Sequence, residues 1–159
     1  MLTIRPLTVQ DVPLLRTLIR ELAEFEHELS AVTIQEAELA QDGFGDNPRF
    51  DALIAEWHGE PAGYALFFDF YSSWTGRQLF LEDLFVRTNY RGLGIGKAML
   101  GTVATIATER GCRALRWEVL GWNESAIDFY RSLGAEFLED WKLVSLRGEP
   151  LRRLAGTGA

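Results

Sequence analysis

The sequence predicts an α/β (α+β) domain: a mixed central sheet flanked by helices, built around one core. Three observations predict it. Short β-patterned runs alternate with amphipathic helical stretches in the order βααβββαβαβ. An apolar strand runs straight into the turn Arg91-Gly92-Leu93-Gly94-Ile95-Gly96, and a helical stretch follows at once. Finally, 159 residues, 47% hydrophobic and 25% charged, suffice to bury about 70% of the unfolded surface in a single core.

The elements follow in order. Residues 2–6 read as a strand ending at Pro6. Thr8 or Asp11 caps a first helix whose Leu15, Leu18, Ile19, Leu22 and Phe25 form one stripe. A short second helix is expected from Thr33 to about Gln41, ended by Gly43-Phe44-Gly45-Asp46-Asn47-Pro48. Strands near 50–57 and 62–70 are joined by the turn residues His58-Gly59-Glu60-Pro61. A loop through Ser72-Ser73-Trp74-Thr75-Gly76 leads to a long strand from about 78 to 87. The helix after the glycine turn buries Ile95, Met99, Val103 and Ile106 and stops at Gly111. Residues 113–120 read as a strand, 125–133 as a helix closed by Gly134, and 136–146 as one or two strands. Residues 1–147 are thus expected to form one domain, and 148–159 a flexible tail with its glycines and a basic pair.

Charge and composition exclude several classes of function. A net charge of −7 argues against nucleic acid or a membrane surface as partner and suits a cationic substrate. No apolar run approaches the roughly 20 residues of a membrane span, since even 62–70 is interrupted by Asp69. The N-terminus lacks the apolar core of a signal peptide, and the single cysteine, Cys112, suits a reducing compartment, so a cytoplasmic location is expected. His27 and His58 have no Cys or carboxylate ligands beside them, so no metal is expected. No Ser-His-Asp or Cys-His pattern stands out for covalent acyl-enzyme chemistry.

The glycine turn carries the first chemical signal. Three glycines in five positions leave backbone N–H groups and a helix N-terminus free to face an anion such as a pyrophosphate. A Walker loop is excluded because Arg91 sits where its first Gly belongs and Ala98 where its hydroxyl belongs. A dinucleotide fingerprint is excluded because the third Gly comes one residue early. A second segment runs Gly121-Trp122-Asn123-Glu124-Ser125-Ala126-Ile127-Asp128-Phe129-Tyr130, then Leu133-Gly134-Ala135. Ile4-Arg5-Pro6, Glu21-Leu22-Ala23, Asp42-Gly43-Phe44-Gly45, Trp74, Leu81-Glu82-Asp83 and Tyr90 through Gly96 complete the set. In this order, over roughly residues 3–143, they resemble the GNAT N-acetyltransferases, and within them the diamine acetyltransferases that act on spermidine, spermine or thialysine.

The resemblance implies a GNAT fold, acetyl-CoA as cosubstrate, and direct acetyl transfer through a ternary complex to the primary amine of a small cationic substrate. It places Leu84, Phe85 and Val86 beside the pantetheine arm, with a backbone N–H for the oxyanion. Arg91, Gly92, Leu93, Gly94, Ile95, Gly96 and Lys97 would meet the pyrophosphate, and Asn123, Ser125 and Ala126 would lie beside the cofactor arm. It makes Tyr130 the acid for the leaving thiolate, and a phenol of pKa near 10 suits a leaving group of similar basicity. An alkylamine is about three pK units too protonated at neutral pH, worth roughly 4 kcal/mol, and a carboxylate can accept that proton. Glu82 is that candidate, acting directly or through an ordered water. Alternation puts Glu82 and Asp83 on opposite faces of their strand unless a bulge intervenes.

The substrate residues implied are Phe25, Glu26, Trp74, Glu82, Asp83 and Glu118. Glu26 matches a family position that contacts the amine chain, and Phe25 or Trp74 would line its methylenes or make cation–π contact. Glu21, Glu24 and Glu28 share one helix face, the ordinary pattern of a solvated surface. Ser72 stands where the polyamine enzymes carry an aspartate, and Ser72-Ser73 looks more like the thialysine-preferring branch. Glu118 is acidic where an apolar residue is usual. A lysine analogue or short diamine is therefore at least as well matched as spermidine. The resemblance also implies a twofold homodimer. Two alternatives remain: an acetyltransferase of protein or peptide amines, which would need a groove for extended peptide, and a non-catalytic acyl-CoA-binding GNAT protein, against which Glu82 and Tyr130 argue.

Overall fold

The computed structural model describes residues 1–156; the last three residues of the expected tail lie outside the described residues. The described chain divides into two compact units, Met1–Glu118 and the residues from Val119 onward. The first unit holds a five-stranded sheet in the order β1-β2-β3-β4-β5. Its strands are β1 (Leu2–Pro6), β2 (Asp51–Trp57), β3 (Glu60–Ser72), β4 (Gly76–Val86) and β5 (Leu115–Trp117). Neighbours are antiparallel from β1 to β4, and β5 joins β4 in parallel, so the sheet is mixed, as expected from the sequence.

Helices α1 (Val12–Phe25) and α2 (Glu36–Phe44) cover one face. There Val12, Leu15, Leu18 and Leu39 pack with Ile54, Tyr64, Leu66 and Phe85, while Ile19 and Leu22 are only partly buried. A single 3₁₀ turn precedes α1, and its entry is held by a capping box in which the Thr8 amide and hydroxyl both donate to Asp11. Asp11 also takes the Arg5 guanidinium, which holds its carboxyl well below the usual range. Helix α3 (Ile95–Glu109) lies on the opposite face and buries Ile95, Met99, Leu100, Val103 and Ala107. Ile106 is half-buried, so it sits at the edge of that stripe.

Several boundaries differ from the sequence expectation, each for a physical reason. α2 runs through Gly43 to Phe44, because Gly43 serves packing: a Cβ there would meet the Phe50 ring at 2.9 Å. The β2–β3 turn tightens to His58-Gly59, both at positive φ, so Glu60 and Pro61 belong to β3. β5 is three residues long rather than eight, and its ladder with β4 ends at Leu81↔Trp117.

The second unit carries α4 (Glu124–Ser132) and α5 (Gly148–Gly156). The expected cap and stop of α4 are present: Asn123 Oδ1 accepts from the Ala126 amide at 3.3 Å, and Gly134 adopts φ 81°. Residues 136–146 form no strand, which corrects the sequence reading. The apolar residues that pointed to strands there (Leu138, Trp141, Leu143, Val144 and Leu146) are exposed, and no described strand pairs with them. No helix among the described residues is long and apolar enough to cross a membrane.

Candidate active site

The site is built around one irregularity in β4. Leu66 of β3 pairs with Asp83 while the next residue, Phe67, pairs with Leu81. Glu82 is therefore an extra residue, a β-bulge at the middle of the strand. The sequence left Glu82 and Asp83 on opposite faces unless a bulge intervened, and the bulge is there. Leu81 faces α3 with its partner Phe67, whereas Asp83 faces the α1 side with Leu66 and Tyr64. Glu82 is exposed between them.

The bulge gathers negative charge. Burial, set against the donating Tyr64 hydroxyl and reinforced by Glu82 and Glu26, lifts the Asp83 carboxyl from 3.8 to about 6. Partial burial and the nearby Glu118 raise Glu82 as well, and burial with Glu28 raises Glu26. Four of the predicted substrate residues, Glu26, Glu82, Asp83 and Glu118, thus act on one another electrostatically. Like charges held together resist ionisation, and each gains from a bound cation. Tyr64 is a member of this cluster that sequence reasoning missed. Its buried hydroxyl donates to Asp83 Oδ2 at 2.8 Å, and burial pushes the phenol well above its usual range. The only signal was a tyrosine inside an apolar strand, whose buried hydroxyl must find a partner.

The bulge also ends the β4–β5 ladder. Beyond it, Leu84, Phe85 and Val86 pair with β3 (Ala65, Tyr64 and Gly63) and with no residue of β5. Their other edge is left open to accept an added strand-like ligand. Gly63 permits this geometry, since a Cβ there would collide with the Phe85 carbonyl.

At the end of β4 a 3₁₀ turn (Thr88–Tyr90) leads into the glycine turn. Gly92 and Gly94 adopt φ 79° and 77°, and no heavy atom lies within 4 Å of where their Cβ would be. Gly94 caps α3 with no side-chain hydrogen bond, so the first N–H groups of a 15-residue helix open onto uncrowded space. Ile95 is buried as the helix anchor, Gly96 approaches Val86, and Leu93 and Lys97 are exposed. This loop fits a phosphate group.

Arg91 is turned toward α1. Its Nε donates to the Val86 carbonyl at 3.0 Å and its guanidinium lies 4.4 Å over the Phe25 ring. Arg87, also missed by sequence reasoning, grips Glu21 with two hydrogen bonds of 2.8 and 2.7 Å and donates to the Pro61 carbonyl. These contacts tie the C-terminal end of α1, and hence Phe25 and Glu26, to the end of β4. Phe25, Phe85, Arg87 and Tyr90 line the open cleft between them, of about 420 Å³. Trp74 stands elsewhere, exposed at the tip of the β3–β4 turn beside Gln78 and Arg113. In the second unit, Tyr130 is buried on α4 with the Phe129 ring 5.3 Å away, while Ser125 and Ala126 occupy the first turn behind the Asn123 cap. Among the described residues no group of three or more His, Cys, Asp or Glu is arranged to hold a metal ion.

Comparison with known proteins agrees with this architecture. Residues 14–135 match the model of the Acetyltransferase (GNAT) family. The chain is 45% identical over 150 residues to a thialysine N-epsilon-acetyltransferase of Sus scrofa, covering 87% of this chain and 88% of that protein. It is 40% identical to a human spermidine/spermine N(1)-acetyltransferase-like protein, covering 96% of this chain but 23% of the longer relative. Among solved structures, an integron cassette protein from the mobile metagenome of V. cholerae superposes with a TM-score of 0.80 at 25% identity, over 97% of each chain.

Proposed function

Because the chain belongs to the acetyltransferase (GNAT) family, we propose that it moves an acetyl group from acetyl-CoA directly to the primary amine of a small cationic substrate, thialysine-like or a diamine. The observation that carries this reading is the β4 bulge, which assembles Glu82, Asp83, Glu26 and Glu118 into one acidic cluster next to an open strand edge. The cluster attracts an ammonium group, and a carboxylate within it takes up the proton that must leave before the amine is nucleophilic. Glu82, exposed at the bulge, is that base, directly or through a water. The unpaired edge at Leu84–Val86 supplies backbone N–H groups to the developing oxyanion.

The glycine turn and the α3 N-terminus, with Lys97 in its first turn, hold the pyrophosphate, and Arg91 shifts from Phe25 to reach it. Asn123, Ser125 and Ala126 flank the cofactor arm. Tyr130 returns a proton to the leaving thiolate. These roles rest on the family resemblance together with the open geometry of the loop. The exposed apolar run from Leu138 to Leu146 supports a homodimer, measurable by light scattering.

The test is product analysis after incubation with acetyl-CoA and a panel of thialysine, lysine, putrescine, spermidine and a short peptide. Acetylation of the distal amine of a small substrate supports the reading. Modification of the peptide alone would replace it with a protein-directed activity, and acetyl-CoA binding without any product would make the chain a non-catalytic acyl-CoA-binding protein.

A further inference from the structure

We propose that Arg116 is a specificity residue that reads a carboxylate on the substrate, so that the site prefers an amino acid with a distal amine to a diamine of the same length. This rests on the acetyl-transfer reading above and assigns the other end of the substrate.

Arg116 lies at the centre of β5, directly paired with Phe80 of β4. Its guanidinium sits 5.5 Å over the Phe70 ring. Phe70 and Phe68 are on the same face of β3, and both rings pack on Phe80, with centroids 5.9 and 5.3 Å apart. The three rings are half-buried and form a shelf along the sheet, on the face that Asp83 and Tyr64 share beyond the bulge. Arg5, Arg77, Arg87 and Arg110 each hold a carboxylate of their own. Arg116 forms no ion pair among the described residues, although Glu118 follows two residues later, just past the end of β5. A guanidinium held over an aromatic face by cation–π attraction leaves its N–H fork for a carboxylate to bind in two-pronged fashion.

The spacing fits an amino acid. Glu118 follows two residues after Arg116, just past the end of β5 and at most about 7 Å along the chain, and Glu82 lies one strand across and two positions on, roughly 8 Å away. The six bonds from the carboxylate carbon of lysine to its side-chain nitrogen, each about 1.5 Å, span roughly 7 Å when extended. One face of the sheet therefore offers a positive end at Arg116, an aromatic floor for methylenes, and a negative end at Glu82 and Glu118. The negative end adjoins Leu84–Val86, where acetyl transfer is placed. A diamine would set its second ammonium against Arg116, and that like-charge contact discriminates against it.

The test compares lysine with 1,5-diaminopentane, which is lysine without its carboxylate, in the unmodified protein and in Arg116→Gln and Arg116→Lys. The unmodified protein should have the higher kcat/KM for lysine. Arg116→Gln should lower the lysine-to-diamine ratio by about 10- to 100-fold, the range of a charge-assisted pair, with the loss chiefly in KM. Arg116→Lys, which keeps the charge without the fork, should recover part of the ratio and guards against a mere folding defect. A ratio unmoved by Arg116→Gln, or an unmodified protein that favours the diamine, would overturn the proposal. If no amine is acetylated, the transfer reading fails by itself, and calorimetric titration still judges Arg116. Lysine binding lost in Arg116→Gln would uphold its role, and equal binding of lysine to both proteins would refute it.

Discussion

Replacing Asp83 with Asn should make the protein more stable and less active. The Asp83 carboxyl is raised from 3.8 to about 6, foremost because it is buried. The folded protein therefore holds this proton more tightly than the unfolded chain. For a raised carboxyl, the favourable contribution is fully present below the unfolded value near 3.8 and is lost as pH rises through 6. A rise from 3.8 to about 6, at about 1.36 kcal/mol for each pH unit, makes ionised Asp83 cost about 3 kcal/mol at pH 8. Asn has the same shape, carries no charge, and can still accept from the Tyr64 hydroxyl through its oxygen. Its new N–H₂ group gives back about 1 kcal/mol if it lacks a partner. Asp83→Asn should thus gain about 2 kcal/mol at pH 8, or roughly 4–8 °C in Tm, and gain nothing near pH 4. Denaturant titrations of both proteins at pH 4, 6 and 8 measure this directly. A stability difference that does not change with pH, or a variant less stable at pH 8, would refute the reasoning. A loss of activity in the stabilised variant would mark the buried charge as a stability cost retained for cation binding.

Further outcomes are expected from other parts of the site. Tyr130→Phe should keep acetyl-CoA affinity while lowering kcat by about 10²- to 10⁴-fold, checked by calorimetry beside steady-state kinetics; unchanged turnover would remove the hydroxyl from the mechanism. Gly94→Val places a β-branched residue at φ 77°, which costs roughly 1–3 kcal/mol of backbone strain and crowds the glycine turn. Acetyl-CoA affinity should then fall at least about tenfold, as read by ligand-dependent shifts in Tm, with α3 still formed by circular dichroism.

Much of this arrangement was legible in the sequence because local patterns dictate it. The stripe of α1, the Asn123 cap and the glycine turn all rest on short-range chemistry, and all appear at the expected positions. What the sequence hid depends on partners distant in the chain. The bulge at Glu82 is a register mismatch between β3 and β4, and no pattern within β4 alone reveals it. The early C-terminal end of β5 coincides with that bulge, since the ladder stops where Glu82 leaves it. Gly43 looks like a helix stop and is instead a seat for the Phe50 ring. Residues 136–146 are rich in the apolar and aromatic residues that strands favour, but such a run without a neighbour to pair with does not make one. Tyr64 and Arg87 were invisible for the same reason: their partners, Asp83 and Glu21, lie 19 and 66 residues away.

The central claim is that the carboxylate exposed at the β4 bulge accepts the amine proton. The pH dependence of kcat/KM for Glu82→Gln beside the unmodified protein, with the best amine of the panel, tests it most directly. The account predicts that the variant loses most at low pH and approaches the unmodified rate as pH rises and free amine forms without help. A parallel loss at every pH would contradict it and make Glu82 a binding or structural residue.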